Sequence, residues 1–136
     1  MRRILKISLA LAIWSTASQA LAETAPLDLP SGRAVTFLDV VRGAPGPGGL
    51  TVRFRFIEPD LRAVIDTTPY DELEADMHFL CETYAVEQIS NIGPQPSTVM
   101  ISISDRPVEF GAQDPDVVQI FEAYRPESGA CIWEGF

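Results

Sequence analysis

His78 is the only histidine in the chain, and its neighbours make it the first place to look for chemistry. Glu74 and Glu82 stand four residues to either side, and Asp71 lies about one turn before Glu74. At 100° per residue all four fall within about 80° of one another on a helix. Carboxylates flanking an imidazole can hold a divalent cation, or one of them can raise the imidazole's basicity for general-base work. That arrangement describes a small hydrolase or metal-dependent enzyme using His78 with Glu74 and Glu82. Against it, one exposed helix face gives an open site, whereas zinc sites need three convergent protein ligands held by outer hydrogen bonds. A solvated, charged helix face accounts for the same residues. Glu74, His78 and Glu82 therefore stand as weak metal candidates, with no catalytic residue assigned and no cofactor expected.

Other patterns offer less. Ser102 and Ser104 lie in an alternating segment without the G-x-S-x-G turn that exposes a nucleophile. The run Gly43 to Gly49 (GAPGPGG) lacks the G-K-[ST] ending of a phosphate loop. Arg53 and Arg55 alternate onto one strand face, a grip for an anion. With 19 acidic residues in the chain, both are expected to pair with carboxylates on neighbouring strands.

Compartment is read from the other end of the chain. Arg2, Arg3 and Lys6 precede an apolar stretch from Ile7 to about Ala17, followed by Ala20-Leu21-Ala22. This is the charged, apolar and small-x-small succession of an export signal, with cleavage expected after Ala22. The Arg2-Arg3 pair resembles an incomplete twin-arginine motif, and ordinary unfolded export is preferred. The apolar run is well short of the ~20 residues that span a bilayer, so no stable membrane anchor is expected. Residues 1–22 are thus a cleavable signal peptide, residues 23–136 a single domain, and the destination is the periplasm or the exterior. Cleavage removes the only lysine and leaves seven arginines against 19 acids, a net charge of −12. Such a domain is repelled by nucleic acid and anionic lipid and is suited to a cationic or protein partner in the envelope.

Cys81 and Cys131 are the only cysteines. In an oxidising compartment an isolated pair is expected to form a disulfide. Two free buried thiols or a redox pair are the alternatives, and the C-x-x-C spacing of redox centres is absent.

The elements that must position these residues follow from periodicity. Residues 34–41 (AVTFLDVV) read as a strand. Residues 50–57 (LTVRFRFI) alternate, with Leu50, Val52, Phe54 and Phe56 facing one way. A hairpin over the glycine-proline run, itself expected to hold no regular structure, joins the two strands. Thr68 is the expected N-cap and Pro69 the first residue of a helix running to about Gln88, with Leu73, Met77, Leu80, Cys81 and Tyr84 on its apolar stripe. Phe79 and Val86 form a second apolar side, to be covered by the loop 105–115 or by a partner. Residues 97–104 alternate again. Segment 116–125 fits either helix or strand. Its β-branched residues, and the turn Pro126-Glu127-Ser128-Gly129 into 130–133, favour strand. The expected fold is α+β, an antiparallel sheet of about five strands with one amphipathic helix packed on it, in the order β-β-α-β-β-β.

The segments MHFLCETY (77–84), DRP (105–107), QIFEAYR (119–125) and CIWEGF (131–136) resemble a family of small exported alphaproteobacterial proteins catalogued only as a domain of unknown function. The resemblance implies no activity. It places Cys81, Cys131 and Trp133 within family-like segments, as structural anchors. Composition, disulfide and the lack of convergent polar chemistry together point to a non-enzymatic binding or interaction module, with the His78 enzyme as the alternative.

Overall fold

The computed structural model describes residues 24–46, 49–89 and 95–135. The expected signal and its cleavage point at Ala22 lie outside the described residues.

Strands β2 (Ala34–Gly46) and β3 (Gly49–Ile57) form the expected antiparallel hairpin, with Val40 opposite Phe54 and Phe37 opposite Phe56. The alternation in β3 works as read for Val52, Phe54 and Phe56, all buried, while Leu50 remains 49% exposed. The glycine-proline run is more regular than expected: Ala44, Pro45 and Gly46 pair with Thr51, Leu50 and Gly49. A register shift between Val41 and Ala44 accommodates this, with Gly43 at φ 73°. A bulge with glycine in the left-handed region lets a ladder resume after an irregular residue. Before the hairpin, β1 (Leu27–Asp28) pairs with Val35 and Ala34. This sixth strand falls in a segment whose sequence reads as a polar lead-in, because two residues are too few to show a period.

The chain then crosses the sheet. It passes through α1 (Leu61–Thr67) and α2 (Tyr70–Leu80), a π turn at Cys81–Ala85 and a 3-10 turn at Val86–Gln88. It returns as β4 (Thr98–Ser104), parallel to β3, with Phe54 beside Ile101 and Phe56 beside Ile103. The sheet is therefore mixed, not antiparallel. A helical connection that joins neighbouring strands across a sheet face brings the chain back to the end where the first strand began, which makes the pair parallel. There are two helices rather than one. Thr68 is not an N-cap: it is extended (ψ 130°) and its N–H closes α1 on the Val64 carbonyl at 2.8 Å. A residue before proline is pushed out of the helical region, so Thr68-Pro69 separates the helices. The helical run does end at Gln88, where Ile89 turns extended.

Segment 116–125 contributes to a strand, as preferred. β5 (Gln119–Glu127) pairs antiparallel with β4 and with β6 (Ala130–Trp133), completing a six-stranded sheet in sequential order. Ser128 and Gly129 both have positive φ, 51° and 83°, as a two-residue type I′ hairpin requires.

One face of the sheet is covered by the helical run. Leu73, Met77, Leu80 and Cys81 are buried as expected, joined by Ala85 and by Leu61 of α1. Leu61, Met77, Leu80, Cys81 and Ala85 meet Val52, Phe54, Phe56, Val99, Ile101 and Ile103. Tyr84 is half-buried with its ring 5.1 Å from Phe37 and 5.5 Å from Phe56. Asp76 is also buried on α2, at 1% exposure. It accepts the Ser31 N–H at 3.1 Å, the Ser31 hydroxyl, and Arg33 at 3.0 Å, while Arg33 forks onto Glu58. This network fixes the lead-in to α2 and to the end of β3. No helix among the described residues is long and apolar enough to cross a membrane.

Cys81 and Cys131 are bonded, with Cα atoms 6.2 Å apart and a sequence separation of 50. The bond joins the helical run to the edge strand β6. Closing a loop of that length removes ~4 kcal/mol of chain entropy from the unfolded state. The double variant Cys81→Ser/Cys131→Ser is therefore expected to lose about 3–4 kcal/mol in urea unfolding. A loss below ~1 kcal/mol would show that the helix and β6 hold together without it.

Candidate functional site

α2 carries Asp71, Glu74 and His78 along the flank that faces β6. The His78 Nε2 lies 3.0 Å from the Cys131 carbonyl and 3.3 Å from Glu82. Glu82 in turn accepts the Cys131 N–H at 3.2 Å. Cys131 stands opposite Pro126, which has no N–H to donate, and on the last strand of the sheet. The helix side chains thus satisfy both backbone groups of an edge residue, as a further strand would. Because both Nε2 partners are acceptors, the proton belongs on Nε2. His78 and Glu82 are held together as the i, i+4 spacing suggests, but on the backbone of β6.

The structure does not assemble Glu74, His78 and Glu82 into one ligand set. Among the described residues no group of three or more His, Cys, Asp or Glu side chains is arranged to hold a metal. Glu74 and Asp71 instead border an open pocket of about 270 Å³, with His78, Tyr124 and Trp133. Tyr124 is fully buried and its hydroxyl has no hydrogen-bond partner among the described residues. Burial, then the charges of Glu122 and Glu74, hold that phenol well above its ordinary pKa, so it stays protonated.

Sequence reasoning missed Glu122. It lies between Ile120 and Tyr124 on the helix-covered face of β5, opposite Ile101, and is only 5% exposed. One carboxylate oxygen accepts the Trp133 indole N–H at 2.8 Å and the other accepts the Tyr70 hydroxyl. Yet Tyr70 and Trp133 are themselves 58% and 53% exposed. A buried carboxylate therefore fixes the tips of two surface aromatics. The available signal was its inward parity, a charge at a core-facing position of the strand.

The opposite face of the sheet carries the two arginines. Arg55 pairs with Asp39 of β2 through two bonds of 2.6 Å, as expected, and donates to the Val108 carbonyl at 2.7 Å. The Arg55 hydrogen bond holds the Asp39 carboxyl below its ordinary range. Arg53 departs from expectation, with no carboxylate partner among the described residues. Its guanidinium carbon lies 5.4 Å from the Phe110 ring centroid and 5.8 Å from that of Phe121. Burial and the charge of Arg55 lower its pKa. The 105–115 loop, one of the two covers read for Phe79 and Val86, lies over this arginine face instead. A cavity of about 230 Å³ there includes Arg53, Arg55, Ser102, Ser104, Phe110 and Gln119 in its walls. Phe79 is 37% exposed, whereas Val86 packs partly against the core.

Fold and surface define a small α+β domain whose helical run is disulfide-linked to the last strand of a mixed sheet. Residues 10–136 match a family of unknown function (DUF6497), and the chain belongs to that family. No curated protein and no solved structure matches it.

If Glu82 caps the β6 edge, Glu82→Ala leaves the Cys131 amide to solvent. Loss of one such bond, about 1 kcal/mol, is expected to speed hydrogen exchange at that amide roughly fivefold. Unchanged exchange there would mean that Glu82 does not protect the strand.

Proposed function

We propose that the chain is an exported, non-enzymatic interaction module of the periplasm or cell exterior. Its contact surface is the aromatic and acidic flank where α2 meets β6. The observation that carries this reading is the pinning of exposed Tyr70 and Trp133 by buried Glu122. Large aromatics are the common anchors of protein interfaces. Anchors fixed before binding avoid the entropy cost of ordering them on contact. The surrounding charge selects the partner. Asp71 and Glu74 border the pocket beside Trp133, and the segment after the expected cleavage point has 19 acids against seven arginines. A protein presenting lysine or arginine beside apolar surface complements that flank, and electrostatic steering speeds its approach.

Export is tested by the mass of the protein recovered from its native envelope, which should correspond to a chain beginning at Glu23 with two fewer hydrogens than its reduced form. An unprocessed chain confined to the cytoplasm would remove the compartment on which the reading rests. For the contact itself, the purified protein serves as bait in the envelope fraction, and the captured partner is then titrated by calorimetry. Trp133→Ala is expected to weaken that affinity at least ~tenfold, as loss of an aromatic anchor does, and to cost about 1–3 kcal/mol of stability, because it also removes one of the two donors to buried Glu122. Equal affinity for wild type and variant would place the contact elsewhere.

A further inference from the structure

We propose that the cavity between the 105–115 loop and the uncovered sheet face is a binding site for a small monocarboxylate with an apolar body, its charge received by Arg53. The site lies across the sheet from the Trp133 flank and is independent of the interaction proposed there.

Arg53 is the first reason. Arg33, Arg55, Arg106 and Arg125 each bond a carboxylate. Arg42 is exposed, and exposed Arg62 reaches the Asp116 carbonyl. Arg53 alone among these seven is half-buried without a hydrogen-bonded partner among the described residues. A guanidinium partly withdrawn from water gains from a counter-charge, and stacking beside phenyl rings offsets only part of the cost of that withdrawal. Its planar edge suits a carboxylate, which it can bind through two parallel bonds.

The polar walls supply the second reason. Ser104 is 7% exposed, and its hydroxyl bonds nothing among the described residues. Ser102, at 1% exposure, accepts the Gln119 amide at 2.8 Å, leaving its own O–H to donate. Arg55 is already neutralised by Asp39. The Arg53 guanidinium and the hydroxyls of Ser102 and Ser104 are thus free to donate to an anion, beside the Gln119 side-chain oxygen and the Glu109 carboxylate as acceptors in the same lining. Glu109, exposed on the lining, is the only carboxylate there. It disfavours a doubly charged guest such as phosphate. Phe110, Val108 and Ala112 provide apolar wall for the remainder of the ligand, and the volume of about 230 Å³ limits it to a small molecule.

Phenylacetate, its neutral amide phenylacetamide, and inorganic phosphate are titrated into the purified protein by calorimetry. Phenylacetate is expected to bind at least tenfold more tightly than either other probe, and to weaken as salt is raised. Arg53→Gln should abolish phenylacetate binding while raising the unfolding temperature of the ligand-free protein, because it removes a half-buried charge without a counter-ion among the described residues. Ser104→Ala should weaken binding severalfold without altering ligand-free stability. Equal binding of phenylacetate and phenylacetamide would reduce the site to an apolar cavity and overturn the proposal. So would tighter binding of phosphate, no binding of phenylacetate up to its solubility limit, or unchanged binding by Arg53→Gln. An Arg53→Gln protein less stable than wild type would equally overturn it, by making Arg53 a structural cation.

Discussion

Burial of α2 and the turn that follows it against β3 and β4 is the interaction on which the rest of this fold depends. Met77, Leu80, Cys81 and Ala85 fill the space above Phe54, Phe56, Ile101 and Ile103. To lay that helix down, the chain must cross the sheet, and the crossing makes β4 parallel to β3. The same helical run has polar and covalent attachments near each margin of the sheet. Asp76 binds the lead-in through Ser31 and Arg33, and Cys81, His78 and Glu82 bind β6 at Cys131. Apolar burial sets where the helix lies, while these directional attachments set its orientation. A hydrophobic surface alone tolerates sliding; a buried carboxylate satisfied by donors from another segment does not.

The charge of the domain is organised around the same plane. Most of its arginines are locked onto carboxylates close by, so their contribution to the outer field is largely cancelled. The acids without such partners give the surface its sign. On the helix-covered side, Glu122 has no cation among the described residues and is satisfied by the N–H of Trp133 and the O–H of Tyr70. On the other side, Arg53 has no anion among the described residues and lies beside two phenyl rings. The two unpaired charges are compensated by opposite aspects of aromatic chemistry, the polar edge in one case and the electron-rich face in the other.

What the sequence discloses follows from the range over which each pattern acts. The period of two in Val52, Phe54 and Phe56 and in Val99, Ile101 and Ile103 is local and dictates which face is buried. The stripe Leu73, Met77, Leu80 and Cys81 is equally legible, as is the Ser128-Gly129 turn. β1 escapes because two residues carry no period, and the second helix because residues 58–67 lack a sustained stripe. The direction of β4 is a property of the crossing, invisible within either strand. The roles of the polar residues are the least legible. The i, i+4 spacing of His78 and Glu82 marks them as neighbours, yet their shared target is a backbone 49 residues from Glu82. Tyr70 meets Glu122 across 52 residues, and the absence of a carboxylate at Arg53 has no sequence signature.

Strand β5 joins these observations. Alternation puts Phe121 and Glu122, adjacent in the chain, on opposite faces of the sheet. Phe121 faces Arg53, while Glu122 faces Trp133 and Tyr70. The two surfaces are thus formed on one backbone, held by β4 on one side and β6 on the other. A central strand with ladder partners on both edges cannot rotate one residue without rotating its neighbour. Holding Glu122 under the helix consequently holds Phe121 against the guanidinium. The disulfide reinforces both, because Cys131 lies in β6 directly opposite Pro126 of the same strand. Stability on the helical side is in this way the condition for a fixed geometry on the arginine side.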